Sequence, residues 1–344
     1  MVIKEDNSLL DCLPILILYP INSCNCRCRM CGAWEQDTTT SMHLKDVISI
    51  ASEAKKLKLQ QVVFSGGEPL LHPDIDLMCE AFHQIGVKVT LLTNGLMLPK
   101  FAERLVTSCH EIIVSLDGPR EIHNTIRNVP NAYERLEKGI LSLRQQSDDC
   151  TIFARCTVQQ RNSIYLRATV DAAHNLRLDK ISFLAVTDEP ETFYRDSMKV
   201  EPEKLIPDIY DLPQLEKELN LLSLHYSDDF KLGFIVESPQ KLNRRLLQYF
   251  SAMHGLNNFP TVKCNAPFVS AVVESNGDML PCFFHRPFGN LFRDGGLASV
   301  LNSKAAIKWR LLFNVKEHHK CRRCVCSLNL LTNNPGSPKH ENFH

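Results

Sequence analysis

Residues 15–31 read ILILYPINSCNCRCRMC: four consecutive apolar residues, Tyr19 and Pro20, then Cys24, Cys26, Cys28 and Cys31 within eight positions. A short apolar run closed by a proline reads as a buried strand, and the cysteines fall in the loop that leaves its carboxyl end. Three of them, Cys24, Cys28 and Cys31, are spaced C-x3-C-x2-C. Three thiolates on one short loop can hold three irons of a cubane [4Fe–4S] cluster and leave the fourth iron without a protein ligand, which is an open coordination site. A structural zinc site wants four closed ligands, and no matching C-x2-C lies nearby. Cys26 reads as a small side chain facing away.

Outward from this stretch, strand-length apolar runs alternate with amphipathic ones. Strands are expected at 15–19, 61–64, 87–92, 111–116, 151–158 and 180–186. Between the first two, Leu44, Val47, Ile48, Ala51, Ala54 and Leu57 recur at helical spacing, and similar helices are expected near 74–85, 99–107, 132–145 and 165–176. Six strands separated by five helices imply parallel strands with right-handed crossovers, an open or partial barrel of α/β class whose chemistry sits at the carboxyl ends of the strands. Residues 1–188 form this unit. Residues 189–261, dotted with Pro190, Pro202, Pro207 and Pro213, read as a connector with helices near 213–223 and 239–253. Residues 262–331 open with a hairpin signal, two apolar runs around Ser275-Asn276-Gly277-Asp278, and read as a small α/β module. A disordered tail is expected at 332–344.

The 344 residues carry 39 basic and 39 acidic side chains, so nothing in the net charge argues for nucleic acid or an anionic membrane as partner. The first residues are charged rather than apolar, which indicates neither a signal peptide nor a membrane anchor and implies a cytoplasmic address. Fourteen cysteines kept reduced in such a compartment point to metal.

The C-x3-C-x2-C loop after the first strand resembles the signature of the radical S-adenosylmethionine superfamily, whose fold is a partial (β/α)6 barrel. Members bind S-adenosylmethionine to the unique iron, and an electron from the cluster cleaves it to a 5′-deoxyadenosyl radical that takes hydrogen from a substrate. Ser65-Gly66-Gly67-Glu68-Pro69 resembles the superfamily's GGE motif: Gly66 and Gly67 let backbone approach the ligand, and Glu68 accepts from the methionyl ammonium. By the same resemblance Asn94, in Thr93-Asn94-Gly95, faces the pocket or forms a plain turn. Ser115, in Ser115-Leu116-Asp117-Gly118, meets the ribose or carboxylate, while Asp117 caps the next turn. Arg155, inside the fifth strand, takes the ligand's carboxylate, since a buried arginine needs an anion. Leu184 and Ala185 flank adenine or pack in the core, and residues 123–128 read as loop.

Near the other end, Cys264 precedes Gly277 by thirteen positions, Cys282 follows five later, and Cys321 and Cys324 form C-x2-C. This spacing resembles the SPASM/twitch modules that hold auxiliary clusters. The further cysteines of the full form are missing, Leu330 standing where one would be, so the resemblance implies one auxiliary [4Fe–4S] cluster on Cys264, Cys282, Cys321 and Cys324. The same spacing permits a four-cysteine zinc site. Cys326 is a spare for Cys324, and His285 has no evident task. Cys12, Cys79, Cys109, Cys150 and Cys156 read as small buried hydrophobes.

The resemblance implies oxidoreductase-type radical chemistry. The chain ends Asn342-Phe343-His344 rather than in the Gly-Gly of the molybdenum-cofactor cyclases, and Cys24 lies too early for a leader-binding domain. That leaves a small polar substrate, sugar or aminocyclitol in kind, undergoing oxidation, epimerisation or decarboxylation. A peptide is the alternative substrate, and a metal-binding scaffold the non-enzyme alternative. A flavodoxin or ferredoxin would donate electrons.

Overall fold

Each of the six apolar runs forms a strand in the computed structural model, which describes residues 9–189, 192–194 and 204–330. The strands are β1 Ile15–Leu18, β2 Gln61–Phe64, β3 Lys88–Thr93, β4 Glu111–Ser115, β5 Thr151–Val158 and β6 Lys180–Ala185. Successive strands pair in parallel, with Ile15 beside Gln61, Thr90 beside Glu111 and Arg155 between Ser115 and Ser182. The crossovers carry α1 Leu44–Lys56, α2 Ile75–His83, α3 Leu98–Ser108, α4 Arg120–Arg127, α5 Ala132–Gln146 and α6 Leu166–Asn175. In α1 the buried positions Val47, Ile50, Ala51 and Ala54 make one apolar stripe, and Lys55 and Lys56 complement the negative end of the helix.

Alternation along the strands divides the sheet into two faces. Leu16, Leu18, Val62, Phe64, Ile112, Val114 and Ala154 pack against the helices. The opposite face carries Ile15, Ile17 and Val63, and farther round the polar residues Gln61, Thr90 and Glu111, where Gln61 donates to Thr90 Oγ1 at 2.8 Å and Thr90 donates to Glu111 at 3.2 Å.

Helix α4 stands where sequence reasoning expected a loop. Its eight residues carry two apolar side chains, Ile122 and Ile126 at i,i+4 spacing, a repeat too short to stand out as an amphipathic run. Asn128, in the left-handed region at φ 53°, ends it.

The C-terminal hairpin continues the barrel's own sheet. Strand β7, Ser270–Val273, pairs in parallel with β1, and β8 Asp278–Leu280 and β9 Gly289–Asn290 follow in antiparallel order, giving β6-β5-β4-β3-β2-β1-β7-β8-β9. The β7 strand thereby covers what would be an unpaired edge. Gly277, at φ 89°, makes the turn, and Asn276 Oδ1 accepts from Asp278 N–H at 3.0 Å. The opposite edge is covered by residues of the expected connector. Helix α7, Leu212–His225, packs beside α6 through Glu218, which accepts from Arg167 Nε at 3.0 Å. Ile235 bridges to Ile181, and Glu237 accepts from Phe183 N–H at 3.1 Å. The helical region expected at 239–253 is one run in three pieces, Pro239–Asn243, Arg244–Gln248 and Tyr249–Met253. Pro190, Pro202 and the tail at 332–344 lie outside the described residues. Among the described residues, no helix is long and apolar enough to cross a membrane.

Candidate active site

The cysteine loop leaves the carboxyl end of β1 and is tied down on three sides. Asn22 holds residues 38–40, donating to Thr38 O at 2.9 Å and accepting from Thr40 N–H at 2.8 Å. Gly67 N–H donates to Ile21 O at 3.1 Å and Glu68 N–H to Ser23 O at 2.8 Å, so the turn after β2 is stitched to the start of the loop. A Cβ on Gly67 would overlap the Ser23 carbonyl, and one on Gly66, at φ 109°, would crowd Ile21 O and Tyr19. The two glycines therefore seat the cysteine loop on the sheet, a reason that ligand approach alone did not supply.

The third side is α4. Arg27 N–H donates to Arg127 O at 3.1 Å, and Arg127 reaches back to Cys28 Sγ at 3.8 Å. The Arg127 guanidinium forms an ion pair with Asp117 at 2.5 Å, and both groups are buried. Asp117 Oδ1 also accepts from Thr157 N–H at 2.9 Å, and Asp117 N–H donates to His123 Nδ1 at 3.2 Å. Asp117 is thus more than the turn cap expected of it. Arg127 and His123 were missed, and the only available signal was the likeness of residues 123–128 to a recurrent segment. Cys26 does not face away: it is buried beside Cys24 and Cys28, and its N–H stands 3.4 Å from Cys24 Sγ. The Cys26 thiol as a hydrogen-bond partner, then the Arg127 charge, outweigh burial and bring the Cys28 thiol down to about 7. A thiol so poised is readily a thiolate ligand.

Glu68 is 1% exposed. Its carboxylate accepts from Leu70 N–H at 3.0 Å, Thr93 Oγ1 at 2.6 Å and Asn94 N–H at 2.7 Å. Burial nevertheless raises its pKa above the ordinary carboxylate value, against those hydrogen bonds. Among the described residues no lysine, arginine or histidine nitrogen lies within 4.0 Å of it. A buried carboxylate with about four lone-pair sites, three of them used, has room for one more donor and favours a cationic one. An ammonium group fits that description. Asn94 connects this carboxylate to the cysteine loop: its Nδ2 donates to Asn25 Oδ1 at 2.6 Å and stands 3.8 Å from Cys24 Sγ.

Ser115 ends β4 beside Arg155 in register, so both side chains lie on the face away from the helices. Burial lowers the Arg155 pKa, and the neighbouring Cys326 and Glu237 oppose it. Leu184 shares that face, whereas Ala185 belongs to the helix-side core. Glu68, Asn94 and the cysteine loop are thus in direct contact, and Ser115 and Arg155 are side by side, while Ala185 stands on the other face.

Cys264 and Cys282 line the apolar cluster that includes Ala266, Leu328 and Leu330. Cys321 is buried, and Cys324 N–H donates to Cys321 O at 3.2 Å. Burial, then neighbouring thiols, push Cys282 up to about 12 and Cys321 to about 11. Crowded thiols that resist ionisation on their own account are stabilised as thiolates by a shared metal centre, so the donor set suits a cluster or zinc. Cys326 belongs to the same group, being close to Cys264 and Cys324.

The sequence profile of the Radical SAM superfamily matches residues 18–154, and that of SPASM, an iron–sulfur cluster-binding domain, matches residues 264–325. The chain is similar to the AdoMet-dependent heme synthase of Methanosarcina barkeri (strain Fusaro / DSM 804), with 32% identity over 175 residues, 47% of this chain and 48% of that protein. The chain spans about half the length of the curated relatives it matches. Its fold is similar to that of Streptococcus suis SuiB bound to precursor peptide SuiA, with TM-score 0.66 and 18% identity over 94% of this chain and 73% of that one. It is also similar to native anSMEcpe with bound AdoMet, with TM-score 0.65 and 18% identity over 91% of this chain and 88% of that one.

Proposed function

We propose, from the premise that this chain belongs to the radical S-adenosylmethionine superfamily and carries a SPASM module, that it abstracts hydrogen from a small polar substrate. The observation that carries this reading is the contact between the C-x3-C-x2-C loop and the buried Glu68 carboxylate through Asn94. Cys24, Cys28 and Cys31 would hold the [4Fe–4S] cluster, which with S-adenosylmethionine supplies a 5′-deoxyadenosyl radical by one-electron cleavage. Glu68 receives the ammonium of the cofactor, Arg155 its carboxylate, and Ser115 its ribose or carboxylate. Gly66 and Gly67 keep the loop seated while these groups orient the ligand. The auxiliary cluster draws four thiolates from Cys264, Cys282, Cys321, Cys324 and Cys326, of which spacing alone selects the first four, and it serves as an electron relay.

A polar substrate is favoured by Ser182, in register with Arg155 on the interior face, and by Thr157 two residues on from Arg155. Such walls desolvate apolar molecules poorly and reward hydroxyl, amino or carboxylate groups. Oxidation, epimerisation or decarboxylation would follow abstraction, with a flavodoxin or ferredoxin as electron donor. A peptide is the second reading, supported by the fold it shares with the peptide-bound SuiB. The test is transfer of deuterium into 5′-deoxyadenosine under dithionite from labelled sugars, aminocyclitols, peptides and, after the heme synthase relative, porphyrins. Label from the small polar molecules is expected. Label from a peptide or porphyrin alone overturns the substrate class, and no cleavage of S-adenosylmethionine at all, with zinc in the cysteine sites, would leave a metal-binding scaffold.

A further inference from the structure

The C-terminal pocket holds more donors than one cubane can use. Cys264, Cys282, Cys321, Cys324 and Cys326 supply five thiols where a [4Fe–4S] cluster takes four. Cys282 has Cys264, Cys321 and Cys326 near it, Cys324 has Cys326, Cys282 and Cys264, and Cys326 has Cys264, so Cys264, Cys282, Cys324 and Cys326 each neighbour the other three. Cys321 also borders Cys264 and Cys282, and it has two histidines beside it as well. Its Sγ lies 3.5 Å from His285 Nε2, and ligand atoms of His285, His318 and Cys321 all fall within 4.8 Å of one another.

The geometry points to a mononuclear zinc site on His285, His318 and Cys321, with Cys264, Cys282, Cys324 and Cys326 left to ligate the auxiliary cluster. A tetrahedral ion with Zn–N of about 2.0–2.1 Å and Zn–S of about 2.3 Å spaces its nitrogen and sulfur ligands about 3.5–3.6 Å apart, which matches the observed pair. Imidazole and thiolate together suit zinc. His318 supports the site independently, since its Nδ1 is buried without a hydrogen-bond partner. His285 is packed edge-on against Trp309 at 5.0 Å and against His318 at 4.5 Å between ring centroids, so both imidazoles are already held where a metal would need them. The ion would pin the short helix His319–Arg322 to the loop after β8, leaving a fourth coordination position open.

The proposal rests on an auxiliary cluster occupying this pocket, and the test separates the two. The 344-residue protein with Cys24, Cys28 and Cys31 replaced by alanine isolates the C-terminal centres. Reconstituted anaerobically with iron, sulfide and zinc, it should hold about four irons and about one zinc per chain by elemental analysis. His318→Ala should lower zinc at least tenfold and leave iron and the electron paramagnetic resonance spectrum unchanged. Cys321→Ser should do the same, and Cys326→Ser should remove the iron. Zinc absent before any substitution, zinc unchanged in His318→Ala, or iron lost in Cys321→Ser but kept in Cys326→Ser would each overturn the zinc site. Zinc bound without any iron would instead overturn the auxiliary cluster and leave the zinc site standing.

Discussion

Glu68 is the residue proposed to receive the ammonium of S-adenosylmethionine. Its carboxylate already accepts three hydrogen bonds, and a cationic donor at the remaining position would be a charge-assisted one. Glu68→Gln removes the charge and faces an amide toward the Asn94 N–H. Affinity for S-adenosylmethionine should fall by about 1.5–3 kcal/mol, roughly 10- to 150-fold in Kd, by equilibrium dialysis of the reconstituted protein. An unchanged affinity would mean that the ammonium binds elsewhere. His123 governs a different property. Burial, then the nearby Arg127 charge, hold its pKa well below 6.5. The unfolded chain therefore takes up a proton that the folded one refuses, and the stability tied to this histidine, full above pH 6.5, is lost as pH falls. Between pH 6.5 and 5.5 the wild type should lose about 1 kcal/mol more than His123→Gln in urea unfolding. Parallel pH profiles would show that His123 becomes charged inside the fold.

At the scale of elements, the cysteine loop is shaped by two neighbours rather than by itself. Gly67 admits the loop from the β2 side, and Gly67→Ala would drive Cβ into the Ser23 carbonyl. The variant should keep its circular dichroism spectrum while reconstituted iron drops from about eight to about four per chain. Retention of both clusters would show that the loop can shift without losing its ligand geometry. Helix α4 holds the loop from the other side through Arg127. Arg127→Ala strands the buried Asp117 carboxylate and should cost about 3–5 kcal/mol in denaturant unfolding, with partial recovery when Asp117 is also replaced by alanine. An equal cost for single and double variants would place the loss in packing rather than charge. The residues at β2 and β4 were legible because glycines and the SLDG tetrapeptide stand at strand ends. Arg127 was not, because its partners Asp117 and Cys28 lie outside its helix and are brought to it only by the fold.

At the scale of the whole molecule, the C-terminal segment and the barrel share one sheet. Ile15, Ile17, Tyr19 and Val63 pack with Val272, Leu280, Leu328 and Leu330. A chain cut after residue 261 would bare this cluster together with the β1 edge, and such an edge is a template for association. The truncated protein should aggregate on size-exclusion chromatography, and a folded monomer would show that the barrel closes its own core. Cys264 and Cys282 are therefore held against the same strands that carry the loop of Cys24, Cys28 and Cys31, and Cys326 lies near Arg155 across the two regions.

The amino-acid order by itself determined the alternation of six strands with helices and the spacings of Cys24, Cys28 and Cys31 and of the C-terminal cysteines, since periodicity and spacing are local properties. Strand positions 61–64 and 151–158 coincide with those of the fold for that reason. Tertiary structure alone decided that β7 lies beside β1, that Arg127 meets Cys28 and Asp117, and that His285 and His318 gather around Cys321. Each of these joins residues distant along the chain or on polar segments, and burial and charge pairing select such contacts only once the strands and helices have packed.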